Sequence, residues 1–146
     1  MNLSKDIKIT VVEAAAAAAQ TELVSDVLDM SGYEGVMFIA LLGDVSDTSV
    51  LTLTVKGNSA NSVSSPTPVT QKATDAFTAG AATADSKVLM VDLYKPALRY
   101  VFASLTRTAA NAVVGGIIAI QYSAVNKPTT QDASVIASAF GLGVAA

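Results

Sequence analysis

The sequence predicts an all-β protein: a single-domain antiparallel β-sandwich, jelly-roll-like in layout, with extended termini. Three observations lead there. Apolar residues recur with period two in segment after segment, as on strands with one face turned inward. Clusters of Gly, Asp, Asn, Ser and Thr separate those segments at roughly strand spacing. The 146 residues contain no internal repeat and suit one domain.

The strands can be taken in chain order. In DIKITVV (6–12), Ile7, Ile9 and Val11 oppose Lys8 and Thr10. EAAAAAAQ (13–20) follows, and alanine is the best helix former. A helix over about 12–28 sets Val24, Val27 and Leu28 on one face, but its first half has little to bury. Six alanines also fall short of the ~12–15 residues at which helices become marginal alone. The reading is strand or extended chain, with helix as the alternative. VLTLTVK (50–56) is the cleanest amphipathic strand, Leu51, Leu53 and Val55 opposing Thr52, Thr54 and Lys56. KVLMVDLY (87–94) sets Leu89, Val91 and Leu93 against Val88, Met90, Asp92 and Tyr94, and RYVFASLT (99–106) continues the alternation.

GVMFIALLG (35–43) and VVGGIIAIQY (113–122) are apolar on both faces. Such a strand lies between two layers, or between its own core and a neighbouring subunit. Gly115 and Gly116 mark a bulge or a close backbone contact. SGYEG (31–35), GDVSDTS (43–49), TAGAATADS (78–86) and TRTAANA (106–112) read as turns. GNSANSVSSPTP (57–68) is either an exposed loop or a sheet-to-sheet crossover. A short helix in QDASVIASAF (131–140), capped by Asp132 or Ser134, is the one further helical candidate. The domain is placed at 1–128, including an N-terminal arm, with an apolar tail over 129–146.

Composition narrows function. Charged residues make up 14% of the chain, against about 25% in ordinary soluble domains. That is too little to coat a lone monomer and points to surface covered by other copies or a partner. Net charge is −3, divided as −6 over residues 1–47 and +3 over 48–146, which gives no basic footprint for nucleic acid. No run reaches the roughly 18–20 apolar residues that cross a bilayer, so a soluble protein is expected. Lys5, Lys8 and ITVV superficially suit a secretory signal, but Glu13 interrupts the apolar core.

The chain has no cysteine and no histidine. Disulfides, thiolate metal sites, the usual general base and the commonest metal ligand are all removed. Asp44 and Asp47, with Ser46 or Thr48, offer oxygens to Ca²⁺ but lack the required ligand number; Asx and ST turns are the reading. Asp26, Asp29 and Glu34 are near enough in sequence for a glycosidase carboxylate pair. Yet a sugar cleft wants stacking aromatics, and the chain has no tryptophan and eight other aromatics; surface charge is the reading. Neither GxxxxGK[ST] nor GxGxxG occurs. Neither an enzyme nor a cofactor is expected.

DMSGYEGVMFIALLGDV (29–45) resembles a segment of small virion proteins of tailed bacteriophages and prophages, in which Asp-apolar-x-Gly-Tyr-Glu/Asp leads into a strongly apolar strand. LYKPALRYVFASLTRTAANAVVGGIIAIQYSAVNKP (93–128) resembles their second half, an aromatic-containing strand turning into a Gly-containing apolar one. The resemblance is to head decoration (cement) proteins. It implies a β-sandwich or jelly-roll subunit, a homo-oligomer with a trimer favoured, seated on the major capsid protein shell. The implied location is the virion surface after synthesis in the host cytoplasm. Tail, fibre or head-to-tail joining components are the alternative, and a glycan- or surface-binding module a more remote one. The expected interface draws on Val36, Phe38, Ile117, Ile118 and Ile120 from the two apolar runs, and Val135, Ile136, Phe140 and Leu142 from the tail.

Overall fold

The alternating segments are strands in a computed structural model of the chain, which describes residues 2–144. Residues 1, 145 and 146, the ends of the arm and tail, lie outside the described residues. A one-turn helix α1 (Leu3–Asp6), where the sequence indicated only an arm, precedes β1 (Lys8–Glu13), β2 (Ala16–Ala19), β3 (Leu23–Val24) and β4 (Leu28–Asp29). Then follow β5 (Tyr33–Val45), β6 (Val50–Asn58), β7 (Val69–Ala73), β8 (Phe77–Thr78), β9 (Val88–Tyr94), β10 (Tyr100–Thr108) and β11 (Ala112–Ala124). All pairings are antiparallel.

The first sheet runs β1-β11-β5-β9, with β2 continuing the β1 edge along β11. The second runs β3-β10-β6-β7, with β4 beside β3 and β8 beside β7. Each sheet therefore has four strand positions. The pairs β1/β2–β11, β3/β4–β10, β5–β9 and β6–β7/β8 are nested as in one long hairpin folded at the loop after β6. Successive pairs fall in alternate sheets, which is the jelly-roll arrangement. The 57–68 stretch joins neighbours in one sheet, so it is an exposed loop, not a crossover. The buried Asn58 orders it, its side-chain amide donating to the carbonyls of Ser62 and Pro66 at 2.8 Å each.

The inward rows build the core. Leu51, Leu53 and Val55 of β6 and Val101, Ala103 and Leu105 of β10 meet Val36, Phe38, Ala40 and Leu42 of β5 and Val114, Ile117 and Ala119 of β11. Val36, Phe38 and Ile117 were expected at an interface; each is wholly buried here and is corrected to the sandwich interior. The bulge at Gly115–Gly116 explains why VVGGIIAI looked apolar on both faces. Register slips between Val114 and Gly116, and the inward phase passes from Val114 to Ile117. Gly116 has φ +136, and a Cβ there would lie 3.1 Å from the Glu13 carbonyl oxygen.

The alanine run is extended. Ala16 and Ala19 pair with Val114 and Ala112. Arg107, 2% exposed, continues the inward phase of β10 and reaches across to this segment. Its guanidinium donates to the carbonyls of Ala17 (3.0 Å), Ala112 (2.7 Å) and Thr21 (2.9 Å), and to the Thr21 hydroxyl (2.8 Å). Long-range pairing and a buried cation thus override helix propensity.

The tail forms no helix over 131–140, correcting that expectation. Asp132 opens only a turn, accepting from Ser134 N–H at 2.9 Å. The side chains a helix would carry outward are engaged with the free edge of β1 instead. Ile9 N–H donates to Gln131 Oε1 (2.8 Å) and Val11 N–H to Ser134 Oγ (2.9 Å). Thr129 N–H donates to the Lys5 carbonyl (2.8 Å). Side chains close this edge as a further strand would.

Candidate interaction surface

With one phase of each strand in the core, the other defines the outer faces, and the two sheets differ. The second sheet turns Thr52, Thr54 and Lys56 of β6, with Ser104 and Thr106 of β10, outward. Glu22 serves this side, accepting from the Ser104 hydroxyl and lying 3.9 Å from Lys56 Nζ. This face is mixed: Thr52, Thr54, Lys56 and Thr106 are half-buried, and Phe102, opposite Lys56 on the same outward row, is covered at 1% exposed, as is Ser104.

The outer face of the first sheet is apolar. Register places Val11, Ile118, Ile39 and Met90 in one row across four strands, and Ile9, Ile120, Met37 and Asp92 in the next. Leu41 and Val88 extend it at one end. Met90, Val88 and Leu41 are 54%, 53% and 45% exposed, and Val11 and Ile118 are also exposed. At ~3.3 Å per residue along β5 and ~4.8 Å between strands, the face covers on the order of 400 Å². Patches of that size on monomers are often functional.

Two tyrosines close the other end. Tyr122 and Tyr94 flank Gly35 across three strands, their rings parallel within 7° at 6.5 Å between centroids. A Cβ on Gly35 would sit 2.2 Å from the Tyr122 ring, so only glycine lets the ring lie over the strand. The Tyr122 hydroxyl donates to Asp92 Oδ1 at 2.6 Å, and the Tyr94 hydroxyl to Glu34 at 3.2 Å. An apolar groove of about 420 Å³ lies where Leu3 and Ile7 of the N-terminal segment meet Met37, Ile120 and Tyr122.

Burial, and then the hydrogen bond to Asp92, push the Tyr122 phenol up to about 12 from its ordinary 10.0. The neutral phenol is favoured in the fold, so its contribution is intact below pH 10. It is lost as pH rises from 10 towards 12, where the unfolded chain ionises first. Denaturant titrations should show stability falling over this window, with a shallower fall in Tyr122→Phe. Some slope should persist, because burial raises Tyr33 as well. Equal slopes in parent and variant would refute the assignment.

Of the expected interface residues, Ile118 and Ile120 lie on this face, Ile120 half-buried. Ile136, Phe140 and Leu142 are exposed on the tail at 96%, 54% and 84%; Val135 is half-buried. Met37, Ile39 and Leu41 were missed, although they are the opposite phase of the same apolar run.

The carboxylates are tied into local structure. Asp29 takes a two-pronged contact from Arg99 (2.9 and 2.8 Å), which lowers its pKa, aided by Ser31 N–H against desolvation. Beside it an open cleft of about 460 Å³ is lined by Ser31, Tyr33, Glu34, Lys95, Pro96 and Arg99. Asp44 and Asp47 fall at the end of β5 and in the turn after it. Among the described residues no three acidic side chains are grouped to share a cation, and no helix is long and apolar enough to cross a membrane. No protein-family model matches the chain, and no curated protein matches it in sequence.

Proposed function

We propose that this protein is a structural virion component, a decoration (cement) subunit that self-associates and binds the outer surface of a phage-like head. The observation that carries this reading is the contrast between the two outer faces: the second sheet's threonines and lysine lie beside a covered phenylalanine, while the first sheet leaves a four-strand apolar surface with Val11, Leu41, Val88, Met90 and Ile118 exposed. The sequence resemblance of 29–45 and 93–128 to such proteins supports it from a separate direction. A cement subunit works by shape and repeated contact. Contacts too weak to hold singly stabilise a shell when many are made together.

The test is co-sedimentation with heads of the encoding phage assembled without this chain. The expected result is that the chain pellets with heads in a saturable ratio and raises the temperature at which they break open. A chain that stays in the supernatant at all concentrations rejects the reading.

A further inference from the structure

The two edges of the first sheet are treated differently. At β1 the outward N–H groups of Ile9 and Val11 are taken up by Gln131 and Ser134 of the chain's own tail. At β9 nothing comparable occurs. Lys95 N–H donates to the Glu34 carbonyl and Leu42 N–H to the Lys87 carbonyl, which fixes the hydrogen-bonding phase. Odd-numbered residues of β9 bond inward to β5, so the N–H and C=O groups of Val88, Met90, Asp92 and Tyr94 point to the free edge. Those groups have no backbone or side-chain partner among the described residues. An uncovered edge of this length, next to exposed Val88 and Met90, is a template for another strand.

The tail beyond the clasp has the matching pattern. Along IASAFGLGV (136–144), Ile136, Ser138, Phe140, Leu142 and Val144 occupy even positions, all but Ser138 large and apolar, and Ala137, Ala139, Gly141 and Gly143 the odd ones. Large residues on one phase and minimal ones on the other make a strand with one apolar face and one thin face. The segment carries no charge and makes no hydrogen bond within the monomer among the described residues, its one contact of note being the Lys5 ammonium 5.0 Å from the centre of the Phe140 ring; Ile136 and Val144 are 96% and 95% exposed. Its nine residues are enough to cover the seven of β9.

We infer that residues 136–144 of one copy add as a strand to the β9 edge of a second copy, extending the first sheet and its apolar outer face across the subunit boundary. The chain's own tail is badly placed for this. It is clasped at β1, three strand spacings or ~14 Å from β9, and would arrive across the strands rather than along them. The apolar face alone offers on the order of 400 Å², about half the ~800 Å² per partner of a standard interface. The arm supplies further area. This deepens the self-association part of the proposed function and is independent of head binding.

Three proteins test it: the full chain, a chain ending at residue 135, and full-length Met90→Pro. Proline at 90 removes one edge-directed N–H and leaves the ladder to β5 intact. The full chain should be oligomeric by light scattering, and both variants monomeric with unchanged β-sheet circular dichroism. A synthetic peptide of residues 134–144 should bind the truncated chain, and at least ~tenfold more weakly when that chain also carries Met90→Pro. A truncated chain that keeps the full oligomeric mass, or a peptide that binds both backgrounds equally, would overturn the inference. A variant with altered circular dichroism is judged by peptide binding alone. If the truncated chain stays oligomeric yet sediments with heads, arm exchange fails and the decoration reading survives. If the full chain is oligomeric and ignores heads, the reverse holds.

Discussion

Replacing Arg107 with methionine is expected to lower stability by about 3 kcal/mol, as removal of a buried group with several hydrogen bonds strands its former partners. At this chain length that corresponds to a fall in Tm of roughly 10 °C. Methionine keeps most of the side chain's length and apolar contact, so the loss reports on hydrogen bonding. The guanidinium serves three carbonyls and one hydroxyl from β2, β11 and the stretch after the alanines, and no carboxylate is among its partners. Without it the buried Ala112 carbonyl is left with no replacement donor, and the half-buried contacts that tie Ala17 and Thr21 to the core are lost. Lysine should recover only part of the loss, since one ammonium cannot reproduce the fork. Hydrogen exchange adds a local signature: amides of Ala16–Ala19 should lose protection before those of β6. A methionine variant within ~0.5 kcal/mol of the parent would contradict this account of the alanine strand.

The parts of the fold legible in sequence are those where alternation has contrast. VLTLTVK, with threonine against leucine, could face only one way, and β6 faces that way. GVMFIALLG offers no contrast, because either phase makes an apolar face; hence Val36 and Phe38 were placed at an interface while Met37, Ile39 and Leu41 went unnoticed. Gly115–Gly116 signalled a bulge, but the resulting change of phase, which sends Ile117 inward and Ile118 outward, needs the register against β5. β3 and β4 are two residues each and carry no period to detect. The tail misled for a different reason. Asp132 and Ser134 are good caps locally, and only the fold brings Ser134 to Val11, a partner 123 residues away. Arg107 lay within TRTAANA, where polar neighbours suggested a turn and concealed a core position. Gly35 carries a signal that was available: a glycine inside an apolar strand, with tyrosines on both strands that come to flank it.

The second large effect concerns the outer face of the first sheet. Ile118 lies near its centre, between Val11 and Ile39. It is 37% exposed in the monomer, so Ile118→Asp leaves a solvated carboxylate on an isolated subunit and should cost the fold little. In an assembly that covers the face, the same carboxylate is buried without a partner, a penalty of several kcal/mol per copy. The variant should therefore fold normally and fail to associate. The most direct measurement is solution mass by light scattering, parent against Ile118→Asp. The account predicts a multiple of the 14.8 kDa chain mass for the parent, with a threefold multiple favoured, and 14.8 kDa for the variant. A parent that is already monomeric, or a variant that keeps the parent's mass, would contradict it.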